Sequence, residues 1–239
     1  MSTVGGPKQV NDNLIFSLDA ANPKSYPGTG TSVYDISGNG YVGTLVNGPT
    51  HNSTYFTFDG VNESIRFGDI LDRGTSPFTL SAWCRKTADS PQDIYGGAVV
   101  SKGSFGGGTY GYSTYVLDTT YNSGTAGFQV RAASAYGILT PDTYPSNEWA
   151  MFTGVRDTVN EEIRFYINSE LIGTNDVANT VNIDSPYYFT IGALNAVNVG
   201  TSYYRHFKGD ISSALVYNRT LTLQELQQNY NAHRSRFGL

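Results

Sequence analysis

Of all stretches in this chain, FKGDISSALVYNRTLTLQELQQNYNAHRSRFGL, from Phe207 to Leu239, leaves the fewest folds open. Ile211, Ser213, Leu215 and Tyr217 fall on one face of an extended run, and Ser212, Ala214, Val216 and Asn218 on the other, so apolar side chains point both ways. A strand of that kind is covered on both sides, which predicts a central place in a sheet. Thr222-Leu-Gln-Glu225 follows as a capping box, in which Thr222 accepts from the Glu225 amide and Glu225 reaches back to the Thr222 amide. A helix over about 222–233 is predicted there. Leu223, Leu226 and Tyr230 recur at i, i+3 and i+7 as a docking stripe, while Gln224, Gln227, Gln228 and Asn231 face water.

Upstream the signals are those of strands and turns. With 18 Tyr, 12 Phe and 27 Gly and no long run of helix formers, the composition belongs to an all-β chain. LIFSLDA from Asn13 alternates as a first strand, and Asn39-Gly40 and Asp59-Gly60 mark tight turns. FTLSAWCRK sets Phe78, Leu80, Ala82 and Cys84 against Thr79, Ser81, Trp83 and Arg85 on the opposite face. Residues 96–115 are rich in Gly and Tyr and read as a rim loop entering a strand. Asn168-Ser169 occupies a hairpin position, where Ser resists the positive φ of a type I′ turn, so a longer or different turn is expected. Residues 1–12 lack periodicity and read as an arm outside the fold, leaving 13–239 as one domain, within the roughly 200–250 residues that large sandwiches reach.

EWAMFTGVRD, EEIRFYINSELIGT and the closing YNR–LTLQEL–NY pattern resemble the laminin-G-like, concanavalin A-like sandwich family, and NLIFSLDAANPKSYPGTG and NYNAHRSRFGL resemble the variant of it found in virion structural proteins of tailed bacteriophages. The resemblance implies a two-sheet antiparallel jelly-roll sandwich with one short C-terminal helix. It also implies that Trp83 and Trp149 are core tryptophans.

Chemistry is constrained by what is missing. Glycosidases of this sandwich carry carboxylates at alternate positions of one strand, about 5–5.5 Å apart in the retaining enzymes. Here Glu161 and Glu162 are adjacent and point to opposite faces, and Glu148 stands alone. No Gly-x-Ser-x-Gly elbow is present, and His51, His206 and His233 have no recognisable partners. A non-enzymatic protein is expected. Calcium would call on the oxygens of Asp35, Asp59, Asn62 and Asp210. Many family members have Ile-Asp-Glu in the last strand where this chain has Ile211-Ser212-Ser213, which removes two carboxylates; the plainer role of Asp59 is to hold the Asp59-Gly60 turn. No other cofactor is expected. Glycan binding needs exposed rings with polar neighbours, and the candidates are Tyr110, Tyr112, Tyr115, Tyr121, Tyr203 and Tyr204; filling the rim or a subunit interface is the competing role for these tyrosines.

A net charge of −5 without a basic cluster argues against nucleic acid, and no window approaches the roughly 18 apolar residues of a membrane span. Cys84, the single cysteine, is expected to be a buried small residue. The N-terminus has no signal-peptide pattern. The sequence reading is therefore a virion component assembled in the host cytoplasm, a capsid decoration or fibre protein contacting a capsid or tail protein, forming a homo-oligomer and touching host-surface glycans; a lectin-like carbohydrate-binding module is the alternative. Arg234, Arg236 and Phe237 in the tail are the expected partner attachment.

Overall fold

The computed structural model describes residues 7–88, 96–104, 114–121, 124–132, 134–195 and 203–239. Two eight-stranded antiparallel sheets enclose one hydrophobic core. The first runs in the order Glu170–Asp176, Glu162–Ile167, Ala150–Asp157, Phe78–Lys86, Lys208–Tyr217, Phe56–Asp59 and Thr50–His51, with Leu14–Asp19 added on Lys208–Tyr217. The second runs Ala135–Leu139, Thr125–Arg131, Thr114–Tyr121, Ala98–Gly103, Phe189–Ile191, Ser64–Arg66, Val42–Val46 and Ser32–Tyr34. Phe56–Asp59 and Ser64–Arg66, which flank the Asp59-Gly60 turn, lie in different sheets, so the chain crosses the sandwich at that turn. Residues 96–115, expected to be loop, contain the buried strand Ala98–Gly103.

Lys208–Tyr217 is central. It pairs along its length with Phe78–Lys86 and shares its other side between Phe56–Asp59 and Leu14–Asp19. Its faces differ from simple alternation. Ile211 lies opposite Cys84 but Ser213 opposite Trp83, so Ser212 is an extra residue in a β-bulge. Beyond the bulge the faces swap: Ile211, Ala214 and Val216 all enter the core, while Leu215 and Tyr217 turn outward beneath the helix. Phe78, Leu80, Ala82 and Cys84 line the core, whereas Trp83, expected there, lies on the opposite face of the same strand against Tyr230 and Phe237.

Thr222 caps the helix Leu223–His233 with both halves of the box formed. The docked positions are Leu226 and Asn229, whereas Leu223 is 50% exposed, so the stripe is rotated from the expected one. Asn229 Oδ1 accepts from the Val10 amide at 2.8 Å and its Nδ2 donates to the Tyr217 hydroxyl at 3.0 Å, which itself donates to the Val10 carbonyl at 2.8 Å. Gln228 Nε2 donates to the Lys8 carbonyl at 2.7 Å. Residues 7–12 are thus no free arm: Val10 is buried with Val155, Tyr166, Leu215, Tyr217, Leu221 and Leu226. At the hairpin, Asn168 and Ser169 take φ of 52° and 69° and join Ile167 to Glu170 in two residues. The tight turn forms despite the serine, supported by Asn168 Oδ1, which accepts from the Met151 amide at 2.9 Å.

Candidate ligand-binding face

The tyrosines predicted as a glycan platform do not form one among the described residues. Tyr110 and Tyr112 lie outside them. Tyr115 is fully buried: inward alternation of its strand sets its ring 4.9 Å from Phe78, and its hydroxyl donates to the Leu71 carbonyl at 3.0 Å. Burial pushes its phenol far above the usual range. A ring so enclosed cannot stack on a soluble ligand. Tyr121 pairs with Thr125 and Tyr203 with Asn195 through their backbones. Tyr204 is half-buried against Ala98, Val116 and Leu194. Beside it the buried Arg205, in the left-handed region at φ 54°, reaches Asp118 Oδ2 at 2.8 Å, and Gln129 Nε2 donates to the same oxygen at 3.2 Å. Burial raises the Asp118 carboxyl to about 6, only partly offset by Arg205 and Gln129. This knot ties the Tyr203–Tyr204 segment to the second sheet.

The proposed calcium ligands serve their own loops. Asp35 Oδ1 accepts from the amides of Ser17 and Ser37 at 2.8 and 2.9 Å, and Oδ2 from the Ser37 hydroxyl at 2.8 Å. Asp59 Oδ1 accepts from the Val61 amide at 2.7 Å, and the Asn62 carbonyl accepts from Asn47 Nδ2 at 2.8 Å. Asp210 is taken by Arg85 and Thr57. Among the described residues no three His, Cys, Asp or Glu side chains converge as a metal-binding group. Of the carboxylates weighed for hydrolysis, Glu161 sits in a turn at φ 55° and accepts from the Asn179 amide, Glu162 pairs with Arg164 at 2.6 Å, and Glu148 is exposed.

The tail is folded onto its own sandwich. Arg236 donates through both terminal nitrogens to Asp19, at 2.7 and 3.0 Å, and Phe237 stacks 4.3 Å from Trp83. Arg234, exposed, lies with its cation 5.9 Å from the Tyr230 ring centre. Arg236 and Phe237 are therefore engaged internally, contrary to the expected attachment role: a guanidinium fork and a bare apolar face are used as efficiently within a chain as between chains.

The group that sequence reasoning missed lies on the outer face of the first sheet. Trp83 and Arg85 are outward positions of Phe78–Lys86; Trp149 immediately precedes Ala150, the partner of Cys84; Tyr55 immediately precedes Phe56, the partner of Ile211. Strand pairing thus gathers Tyr55, Arg85 and Trp149 from three distant stretches. Tyr55 and Trp149 have ring centres 5.5 Å apart at 60°, and the Arg85 guanidinium lies 5.6 and 5.1 Å from them, within cation–π range. Arg85 is held by Asp210 Oδ2 through Nε at 2.9 Å and Nη2 at 2.6 Å, while Thr57 donates to Asp210 Oδ1 at 2.6 Å. Asp210 is only 4% exposed but the Arg85 side chain is 28% exposed, and Tyr55 and Trp149 are half-buried. Trp149 is thus a surface-facing ring, unlike the core residue expected. The only hint in the sequence was its place beside Glu148 at the start of its strand.

A family model described as the concanavalin A-like lectin/glucanases superfamily matches residues 58–227. No curated protein sequence matches the chain. Among solved structures, the binding domain of Paraclostridial Mosquitocidal Protein 1 superposes with a TM-score of 0.66 at 18% identity, over 94% of this chain and 53% of that one. Domain 4 of AbnA, an extracellular GH43 arabinanase of Geobacillus stearothermophilus, solved with arabinotriose, gives 0.64 at 16% identity over 91% and 98%. The botulinum neurotoxin serotype D binding domain gives 0.66 at 12% over 92% and 52%. The chain spans about half the length of the two toxin domains and nearly all of the arabinanase domain. At these identities the likeness is one of fold.

Proposed function

Because the chain belongs to the concanavalin A-like lectin/glucanases superfamily, in which one sandwich serves both binding and hydrolysis, we propose that it is a non-enzymatic carbohydrate-binding module whose ligand lies on the outer face of the first sheet. The observation that carries this reading is the Tyr55–Arg85–Trp149 cluster, with its half-buried rings beside a guanidinium fixed by Asp210. Aromatic surface takes the C–H faces of a sugar, and the Arg85–Asp210–Thr57 group supplies hydrogen-bonding atoms beside it. The arabinanase domain, matched over nearly its whole length and solved with arabinotriose, supports the same reading. Binding of the full chain to a glycan array, followed by titration, tests it: Tyr55→Ala and Trp149→Ala should each weaken binding about tenfold, the equivalent of roughly 1.4 kcal/mol. The proposal fails if no glycan binds, or if both variants bind like the parent.

A second reading makes the chain a tailed-phage virion component, assembled in the host cytoplasm, oligomeric, and seated on a capsid or tail protein. It is favoured by the two stretches that resemble the phage variant, which meet in this molecule: Arg236 of NYNAHRSRFGL grips Asp19 of NLIFSLDAA. Immunogold labelling of purified particles decides it, unlabelled particles excluding the role.

A further inference from the structure

Four rings pack together on the outer face of the first sheet, with Tyr230 of the helix stacked on Trp83 at 5.6 Å and 14°. Phe237 lies 4.3 Å from Trp83 at 23° and 4.6 Å from Trp149 at 32°. The two indoles belong to neighbouring strand segments, since Trp83 pairs with Met151, two residues beyond Trp149. The ring between them comes from the far end of the chain, on the short 3₁₀ turn Arg234–Phe237, none of whose residues is buried. Apart from this stack, the turn is held to the sandwich mainly by Arg236, paired with Asp19 and 3.3 Å from the Ser212 hydroxyl.

Trp83 is 2% exposed, yet its indole N–H meets no acceptor among the described residues. An orphaned buried donor costs about 1–3 kcal/mol. A phenyl ring can cover an indole face but has no lone pair for its N–H. A pyranose is close to phenyl in width, offers C–H faces for stacking, and carries hydroxyl oxygens at its rim.

We infer that the space between Trp83 and Trp149 is a pyranose-binding subsite, continuous with the Tyr55–Arg85–Trp149 cluster, and that Phe237 fills it in the free protein. The inference rests on the carbohydrate reading and adds to it a second sugar position and a built-in competitor. A ligand occupying the subsite displaces the C-terminal turn, so affinity is set partly by how firmly Arg236 holds Asp19.

Tryptophan fluorescence titration of the full chain with cellohexaose, maltohexaose, chitohexaose and 3′-sialyllactose tests the inference. Phe237→Ala should bind the preferred sugar about tenfold more tightly than the parent, and Arg236→Ala, which keeps every ring but loosens the turn, should move affinity in the same direction. Adding Trp83→Phe, which removes the N–H, should cancel the gain. If Tyr55→Ala weakens binding while neither Phe237→Ala nor Arg236→Ala tightens it, the subsite is refuted and the carbohydrate reading stands. If no sugar binds the parent or either tail variant, both fall. Should Phe237→Ala fold poorly by circular dichroism, Arg236→Ala alone decides.

Discussion

Leu226→Ala probes how the C-terminal helix is attached. Leu226 is completely buried, at the centre of the cluster formed by Val10, Val155, Tyr166, Leu215, Tyr217 and Leu221 on the outside of the first sheet. Truncating a buried leucine to alanine costs about 2–5 kcal/mol, as lost transfer energy plus the cavity left behind. The lower half of that range fits this site, because the helix lies on the surface and can settle inward, which collapses part of the void. About 3 kcal/mol, at roughly 2–4 °C per kcal/mol for a chain of this size, lowers the melting temperature by about 6–12 °C. Leu223, three residues earlier and half-exposed, should shift it by under about 2 °C when replaced by alanine. The contrast is the sharp test, since the sequence stripe counts both leucines as docked while the structure docks one. Differential scanning calorimetry of the two variants measures it. Equal shifts, or a Leu226→Ala shift below about 2 °C, would mean that the helix does not pack as described.

Asp118 makes stability depend on pH in the direction opposite to most carboxylates. Its folded value of about 6 lies above the ordinary 3.8, so the folded state takes up the proton first; the contribution is complete below about 3.8 and is lost as pH rises through about 6. The gap corresponds to roughly 3 kcal/mol at most. The melting temperature of the parent, relative to that of Asp118→Asn, should rise as pH is lowered from 7 to 4, and ¹³C titration should find this carboxyl half-protonated above pH 5; parallel melting profiles or an ordinary midpoint would refute it. Chelation should leave the fold untouched, because Asp35, Asp59 and Asp210 are already engaged by amides, hydroxyls and Arg85. A chelator-induced fall of about 10 °C, well beyond the effect of 1 kcal/mol, would establish a structural cation.

The sequence carried the fold further than the site, and particular residues explain the difference. Alternation in FTLSAWCRK sorts Phe78, Leu80, Ala82 and Cys84 onto one face, and Cys84 was legible as buried, but bulk on both faces left open which of them meets the core. The capping box was legible because its two hydrogen bonds join residues three apart. The bulge at Ser212 was not, since an extra residue leaves no mark on composition and shows only against a partner strand. Asn229 drew no notice, because an amide on a polar helix gives no sign of Val10 and Tyr217 waiting for it. The same reason hid the ligand-binding face. Tyr55, Arg85 and Trp149 are unremarkable in their own neighbourhoods, and only the pairing of four successive strands brings them within 6 Å of one another. Tyr115 misled in the opposite way, because a Gly- and Tyr-rich stretch looks exposed until its strand is seen to turn that ring inward.

Both chain ends looked like extensions available to a partner, and their contacts give them a different work. Val10 completes a ring of hydrogen bonds with Asn229 and Tyr217, Gln9 meets His233 at 3.0 Å, and Arg219 ties Asp12 to Glu225. Arg236 closes on Asp19, at the end of the first strand, and Phe237 covers Trp83. The two stretches that resemble the phage variant are therefore one clasp: the start of the first strand leads into the helix cluster and its end receives the tail. Side chains bound to each other in this way are constrained together by closure of the sandwich, whatever the molecule is attached to. A likeness confined to these stretches consequently speaks first for a shared way of closing the fold. A particle-bound protomer that retained this clasp would meet its partner with Arg236 already paired to Asp19 and Phe237 already against Trp83, and the half-buried rings of the first sheet would remain on the side where its tail is stowed.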